Sequence, residues 1–358
     1  MDLITHALLS FVIVRALFPR IGKAAMMAAV LAGCIADIDW LSSYSGPSAY
    51  LAWHGTYPHS ILAAFLISAG FPSILLAVVL WGGLSIDVEV RNGEEISDDP
   101  RPTRNRALRK IAVPLFLAAF LAALLHIAMD ACQSTGVMLF WPFSSRRVAA
   151  DWLPGVDPWI LTILVAAIGL PELLRLVGSE IGSKEKKPRG QTGALIGLAL
   201  ILVYVGARAT LHANVMALLG SRNFHGETPH RVYAYPESLS LLTWHGVVET
   251  ESALDEIDVN AASPSDFDPD SSWRIFKPEP SPALNAARNT EVAKRFLATA
   301  QIPRASVEKT ASGYVVVLRD LRNAPAGDTK HEVAAYIEVD QSNRVTSQEL
   351  DWARNLPH

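Results

Sequence analysis

The chain has 358 residues, half of them hydrophobic and only 18% charged, with a mean hydropathy of +0.24 and a net charge of −4. So low a charged fraction argues against a cytosolic enzyme and for a membrane protein, and an acidic balance without a basic patch excludes nucleic acid as a partner. Two cysteines, Cys34 and Cys132, are too few for a disulfide framework or a thiolate zinc cluster.

The N-terminus carries Asp2 where a cleaved signal peptide would have a basic region. Two short apolar segments follow, Leu3–Phe18 and Ala24–Leu41, joined by Pro19–Lys23. Each is near the lower limit for a spanning helix, so they are either two spans or a short hairpin. Ile61–Leu84, Ile111–Ala131, Trp159–Val177 and Gly193–Leu219 are each long enough to cross. The sequence therefore predicts a membrane α-helical bundle of about six spans over 1–219. Residues 220–358 are polar and acidic, with 14 Lys and Arg against 20 Asp and Glu, and read as a soluble α+β domain. Tyr314–Leu318 and Ala335–Val339 have strand character, Asn289–Ala300 reads as one amphipathic helix, and 258–286 as an irregular connection.

Basic residues orient the spans. They gather at 19–23, at 85–110 (Arg91, Arg101, Arg104, Arg106, Arg109, Lys110) and at 179–192 (Lys184, Lys186, Lys187, Arg189). Placing these three loops in the cytoplasm gives both termini, and hence the C-terminal domain, an outer or periplasmic location. Arg146 and Arg147, in the loop at 132–156, are the exception on the outer side.

That topology brings distant ionisable residues to one membrane face. Asp2 and His6 open the first span, Asp37 and Asp39 close the second, and His54 and His59 follow in the outer loop. His126 and Asp130 close the fourth span. Carboxylates and imidazoles beside apolar spans are expensive, which marks a functional site, and an Asp/His mixture suits a divalent metal. His126 and Asp130 are one helical turn apart, as are Asp2 and His6. Asp37 and Asp39 cannot share one face of a regular helix. The helix is therefore expected to unwind at Asp37, or one of the two carboxylates to act at second remove. Pro58 breaks the chain beside His59.

These residues resemble the motifs of the YdjM-like, LexA-regulated inner-membrane metal-dependent hydrolases of bacteria. The similar pieces are D-x-x-T-H at Asp2, Thr5 and His6, A-D-I-D-W at 36–40, H-G-T-Y-P-H-S at 54–60, and the stretch from His126 to Ser144. Two departures stand out: Gly55 where the family commonly has Arg, and Pro58 where it has Thr. The resemblance implies a metal-dependent hydrolase. On that reading His6, Asp37, His54, His59, His126 and Asp130 are ligands, with Asp39 beside them. They would hold one or two divalent ions, Zn or Mn/Mg, that activate water against a phosphoester. Asp2 or Asp39 is then the general base or orients a ligand histidine, and Arg146 receives the charge of a phosphorylated or lipid-linked substrate. Arg208 and His212 either complete the site or pair with a carboxylate of the bundle. Cys34 and Cys132 are core residues or an oxidised pair, and the remaining histidines lack ligand spacing. Two other classes fit the same residues: a transporter with an ion pathway, and a structural protein whose metal pins its helices.

Overall fold

Long runs of Ala, Leu and Val without alternation leave the N-terminal half no choice but helix. A computed structural model describes residues 2–82, 100–180, 190–322 and 332–353. Helix α1 (Leu3–Leu17) is opened by Asp2, whose carboxylate accepts from the Thr5 amide at 2.9 Å and from the Thr5 hydroxyl. It thereby satisfies donors that a helix start leaves orphaned. Helix α2 (Lys23–Cys34) buries a face of small residues, Ala25, Ala28, Ala29, Ala32 and Gly33, against α1 and α5 (Pro100–Ala131). Such residues let helix backbones approach closely, which is how helices associate in lipid.

At Cys34 the chain tightens into a 3-10 helix over Ile35–Ser45, long for that type. The short helix α3 (Pro47–Trp53) starts after Gly46, whose φ of +98° suits glycine. A 3-10 turn at Tyr57–His59 leads into α4 (Ile61–Gly82). Helix α6 (Pro158–Glu180) is capped by the buried Asp157, which accepts from the amides of Trp159 at 2.9 Å and Ile160 at 3.1 Å. Helix α7 (Gln191–Gly220) closes the series. Arg15 pairs with Glu172 at 3.0 Å, tying α1 to α6.

Six apolar helices thus occupy the six predicted segments. Among the described residues only Lys23–Ser45, Ala112–Ala131 and Gln191–Gly220 are long and apolar enough to cross a membrane. Leu3–Leu17, Ile61–Gly70 and Pro158–Leu174 are shorter, so helix lengths support three crossings, not six. The predicted loop at 85–110 also ends early, because α5 already begins at Pro100. Arg91 and the basic residues Lys184, Lys186, Lys187 and Arg189 lie outside the described residues.

The chain divides into two compact units, Met1–Ile38 with Gly55–Arg208, and Asp39–His54 with Ala209–His358. In the second, two four-stranded antiparallel sheets follow one another as simple meanders. The first contains β1 (Arg231–Pro236), β2 (Thr243–Glu249), β3 (Ala253–Asn260) and β4 (Trp273–Phe276). It packs Trp244, Val248 and Val259 against Val215 and Leu219 at the end of α7. The second contains β5 (Pro303–Lys309), β6 (Gly313–Asp320), β7 (Val333–Asp340) and β8 (Val345–Trp352). One of its faces carries helices α8 (Pro282–Arg288) and α9 (Glu291–Leu297), through Val316, Leu318, Ala335 and Ile337.

The α+β content is as predicted, with every strand antiparallel. The single helix expected over Asn289–Ala300 is instead α9 alone, preceded by α8. The break falls at Thr290, whose hydroxyl caps α9 by accepting from the Ala293 amide at 3.1 Å. The connection expected to be irregular, 258–286, contains β4 and most of α8.

Candidate metal centre

Five side chains from four segments of the first unit converge. Helix α1 supplies His6, the 3-10 helix after α2 supplies Asp37, the turn before α4 supplies His59, and the last turns of α5 supply His126 and Asp130. His6 Nε2 lies 3.1 Å from Asp130 Oδ1. Asp130 Oδ2 lies 3.3 Å from His59 Nε2 and 3.2 Å from His126 Nε2. His126 Nε2 is 3.4 Å from Asp37 Oδ1 and 3.4 Å from His59 Nε2, while His59 Nε2 is 3.9 Å from Asp37 Oδ1. The His6 and His126 rings stack with centroids 3.6 Å apart.

These separations have a chemical meaning. Donor atoms arranged tetrahedrally about a zinc ion, with bonds of about 2.0–2.1 Å, stand about 3.3–3.4 Å apart. Donor atoms of His6, Asp37, His126 and Asp130 all lie within 4.8 Å of one another, and His59 Nε2 stands 3.3–3.9 Å from those of Asp130, His126 and Asp37. His59 Nε2 and His126 Nε2 face each other, and at most one of them can donate to the other. The Nδ1 atoms of His6 and His126, and Asp37 Oδ2, are buried without a hydrogen-bond partner among the described residues. Imidazole nitrogens and carboxylate oxygens buried this close together make a donor set that could hold a cation. The site is almost closed: His6, His59 and His126 are at most 2% exposed, while the Asp37 side chain, at 18%, forms its open edge.

Local sequence explains each placement. In 3-10 geometry successive residues turn by about 120°, so Asp37 and Asp39 stand about 120° apart around the axis. Asp37 enters the cluster and Asp39 turns away. Pro58 starts the turn that carries His59, whose amide donates to Thr56 O at 3.1 Å, and Ser60 caps α4 through the Ala63 amide. The loop before α4 is laced to 136–139 by Met138 N to Gly55 O at 3.0 Å and Ile61 N to Leu139 O at 3.1 Å. Gly55 has a φ of +66°, and a Cβ there would stand 2.8 Å from Arg147 Nη1 and 2.9 Å from Gly136 O. A side chain at position 55 is therefore excluded twice over.

The other predicted site residues have contacts of their own. Asp39 and His54 belong to the second unit, where Asp39 Oδ1 lies 3.2 Å from His54 Nδ1. Asp2, expected as base or orienting group, is engaged in capping α1. Arg146 is exposed, its amide bound to Ser144 Oγ, while Arg147 donates to Gly136 O at 3.3 Å. Arg208 is buried and donates to Trp152 O at 3.2 Å, close to Tyr204, whose hydroxyl donates to Asp157. His212 packs against Trp244 in the second unit. Cys34 and Cys132 are both free thiols. The sequence reading passed over Asp157, although an Asp-Pro pair ahead of an apolar run is a recognisable helix start.

Apolar helices of membrane-crossing length and a buried His/Asp cluster that could hold a metal ion define the class: a membrane protein with a candidate metal centre. The model of the YdjM inner membrane protein family matches residues 1–215, which include all five converging side chains, and the chain belongs to that family. No curated protein and no solved structure matches it.

Proposed function

We propose that the chain is a multi-pass inner-membrane hydrolase of bacteria, dependent on a divalent metal and acting on a phosphoester, with a lipid-linked substrate favoured by a site among apolar helices. The observation that carries this reading is the convergence of three imidazole nitrogens and two carboxylates, with neighbouring atoms 3.1–3.9 Å apart. His6, Asp37, His59, His126 and Asp130 would hold the ion. Their spacing favours one ion over two, and three imidazoles favour zinc over magnesium. Bound there, such an ion supplies Lewis acidity toward a phosphoryl oxygen and lowers the pKa of water.

The protein's own residues do the rest. Asp37 faces the open edge and is the ligand nearest an incoming substrate. Arg146, exposed in the 132–156 loop, is the free-facing guanidinium suited to a phosphate, since Arg147 is held against Gly136. The closed character of the cluster also supports a second reading, in which the ion only pins the helices.

Metal analysis and a phosphoester screen on the detergent-purified protein separate the two. His126→Ala and Asp130→Ala should each weaken metal binding at least about 10–100-fold, the loss typical of groups one shell further out. Arg146→Ala should slow turnover at full metal content. Unchanged metal stoichiometry in both ligand variants overturns the metal centre, and metal without turnover leaves the pinning reading.

A further inference from the structure

The polar, acidic stretch 220–358 has one apolar point. The hairpin between β1 and β2 turns through 238–242, Ser-Leu-Ser-Leu-Leu, without a charged residue. Leu239 is 82% exposed there, and Leu241 and Leu242 are exposed beside it. Leucines exposed together, unlike single ones scattered over a surface, mark an interaction site. Polar groups of the same turn are satisfied within the domain. Ser240 Oγ accepts from the amides of Thr243 at 3.0 Å and Leu242 at 3.3 Å, and donates to Thr243 Oγ1 at 2.8 Å. Leu242 O accepts from the Ala261 amide at 2.8 Å. A turn that meets its backbone needs internally and presents leucines outward suits an apolar medium, where an unmet backbone group is costly.

Residues 209–220, the last turns of α7, belong to the same compact unit as this hairpin. Two contacts fix the direction of β2 along them. A Cβ on Gly246 would stand 3.0 Å from both methyls of Leu219. Two residues nearer the tip, the Trp244 ring lies 5.5 Å from that of His212. A step along β2 toward the tip is therefore a step back along α7, from Leu219 to His212, by about 10 Å of helix. That direction leads to the middle of α7, a helix of membrane-crossing length. Its 30 residues make about 45 Å, whereas the hydrocarbon core takes up about 20 residues. Counted from Gln191, which follows the basic stretch at 184–189, those residues end close to His212. Leu242 is two residues beyond Trp244 and Leu239 further still, so the tip reaches the level at which α7 enters the bilayer. We propose that the β1–β2 tip is a membrane anchor: Leu239, Leu241 and Leu242 dip into the boundary between headgroups and acyl chains of the bilayer that α7 crosses. The inference needs α7 to cross and is independent of the metal centre.

The test uses the full-length protein in phosphatidylcholine–phosphatidylglycerol vesicles, with Cys34 and Cys132 replaced by alanine and a nitroxide attached at Leu239→Cys. Phe276→Cys is the control. That side chain is 70% exposed but pairs with Ala253, at the end of β3 away from the tip, whereas Asn260 pairs with Thr243 beside it. Collisions of the label with oxygen, which concentrates in lipid, are compared with collisions with a water-soluble nickel chelate. The oxygen-to-nickel ratio at 239 should be several-fold above that at 276. Equal ratios at the two positions overturn the anchor. A label at 239 shielded from both reagents overturns it as well, because a protein surface or a second copy of the chain then covers the leucines. If Leu239→Cys does not give folded protein, Leu242→Cys decides by the same criterion.

Discussion

Ionisable side chains in this chain are placed by local geometry more than by spacing. Asp2–His6 and His126–Asp130 have the same separation, yet Asp2 caps a helix while the other three join the cluster. A carboxylate one residue ahead of a helix has a backbone to serve, and that distinction was present in the sequence. Asp37 and Asp39 could be separated by helical angle alone, but which of them faces the cluster depends on the 3-10 turn. Glu332 shows the cost of burial in the C-terminal domain. Burial pushes its carboxyl above the ordinary value, against the pull of Arg319 and with a further push from Asp320. A carboxyl with a raised folded pKa binds its proton more tightly when folded, so stability falls as pH rises from the unfolded value through the folded one. Glu332→Gln should therefore raise the melting temperature at about pH 7 and leave it nearly unchanged at about pH 4. Equal shifts at both pH values would show that charge is not the cause.

Elements converge on the cluster through a contact one helical turn away from it. A Cβ on Gly33 would collide with Ser10 Oγ and lie 3.0 Å from Ala122 Cβ. Gly33 precedes Asp37 by four residues, Ser10 follows His6 by four, and Ala122 precedes His126 by four. The close approach of α1, α2 and α5 at these small residues therefore sets the separation of His6, Asp37 and His126 one turn on. Gly33→Leu should destabilise the protein by about 1–3 kcal/mol, as overpacking does, and weaken metal binding as well, with Gly33→Ala milder on both counts. Thermal melting together with metal titration checks this, and a Gly33→Leu protein unchanged in both would dissociate the packing from the site. The apolar helices were legible because their composition leaves no alternative. Strands β1 to β3 were not. In β2, Trp244 and Val248 face the α7 end while Val247 faces Tyr235 and Leu254, so burial on both faces erased the alternation that identifies a strand.

At the scale of the whole molecule, α5 carries the argument for sidedness. It has 32 residues, about 48 Å of helix at 1.5 Å per residue, more than the hydrocarbon core of about 30 Å requires. Its apolar part is Ala112–Ala131. The preceding turns hold Arg101, Arg104, Arg106, Arg109 and Lys110, and its far end holds His126 and Asp130. Clustered positive charge is retained in the cytoplasm, so we propose that the His126 and Asp130 end of α5 faces outward. If α6, whose described apolar part is short, also crosses, the proposed topology takes 220–358 to the periplasm. This parity is the same whether α1 and α2 cross fully or form a hairpin, and it depends on α6 crossing. Reporter fusions at Asn105 and Lys186 should behave as cytoplasmic, and a fusion after Asp270 as periplasmic. A cytoplasmic signal at Asp270 would require an even number of crossings after the basic turns of α5, and the metal centre would then need a different sidedness argument.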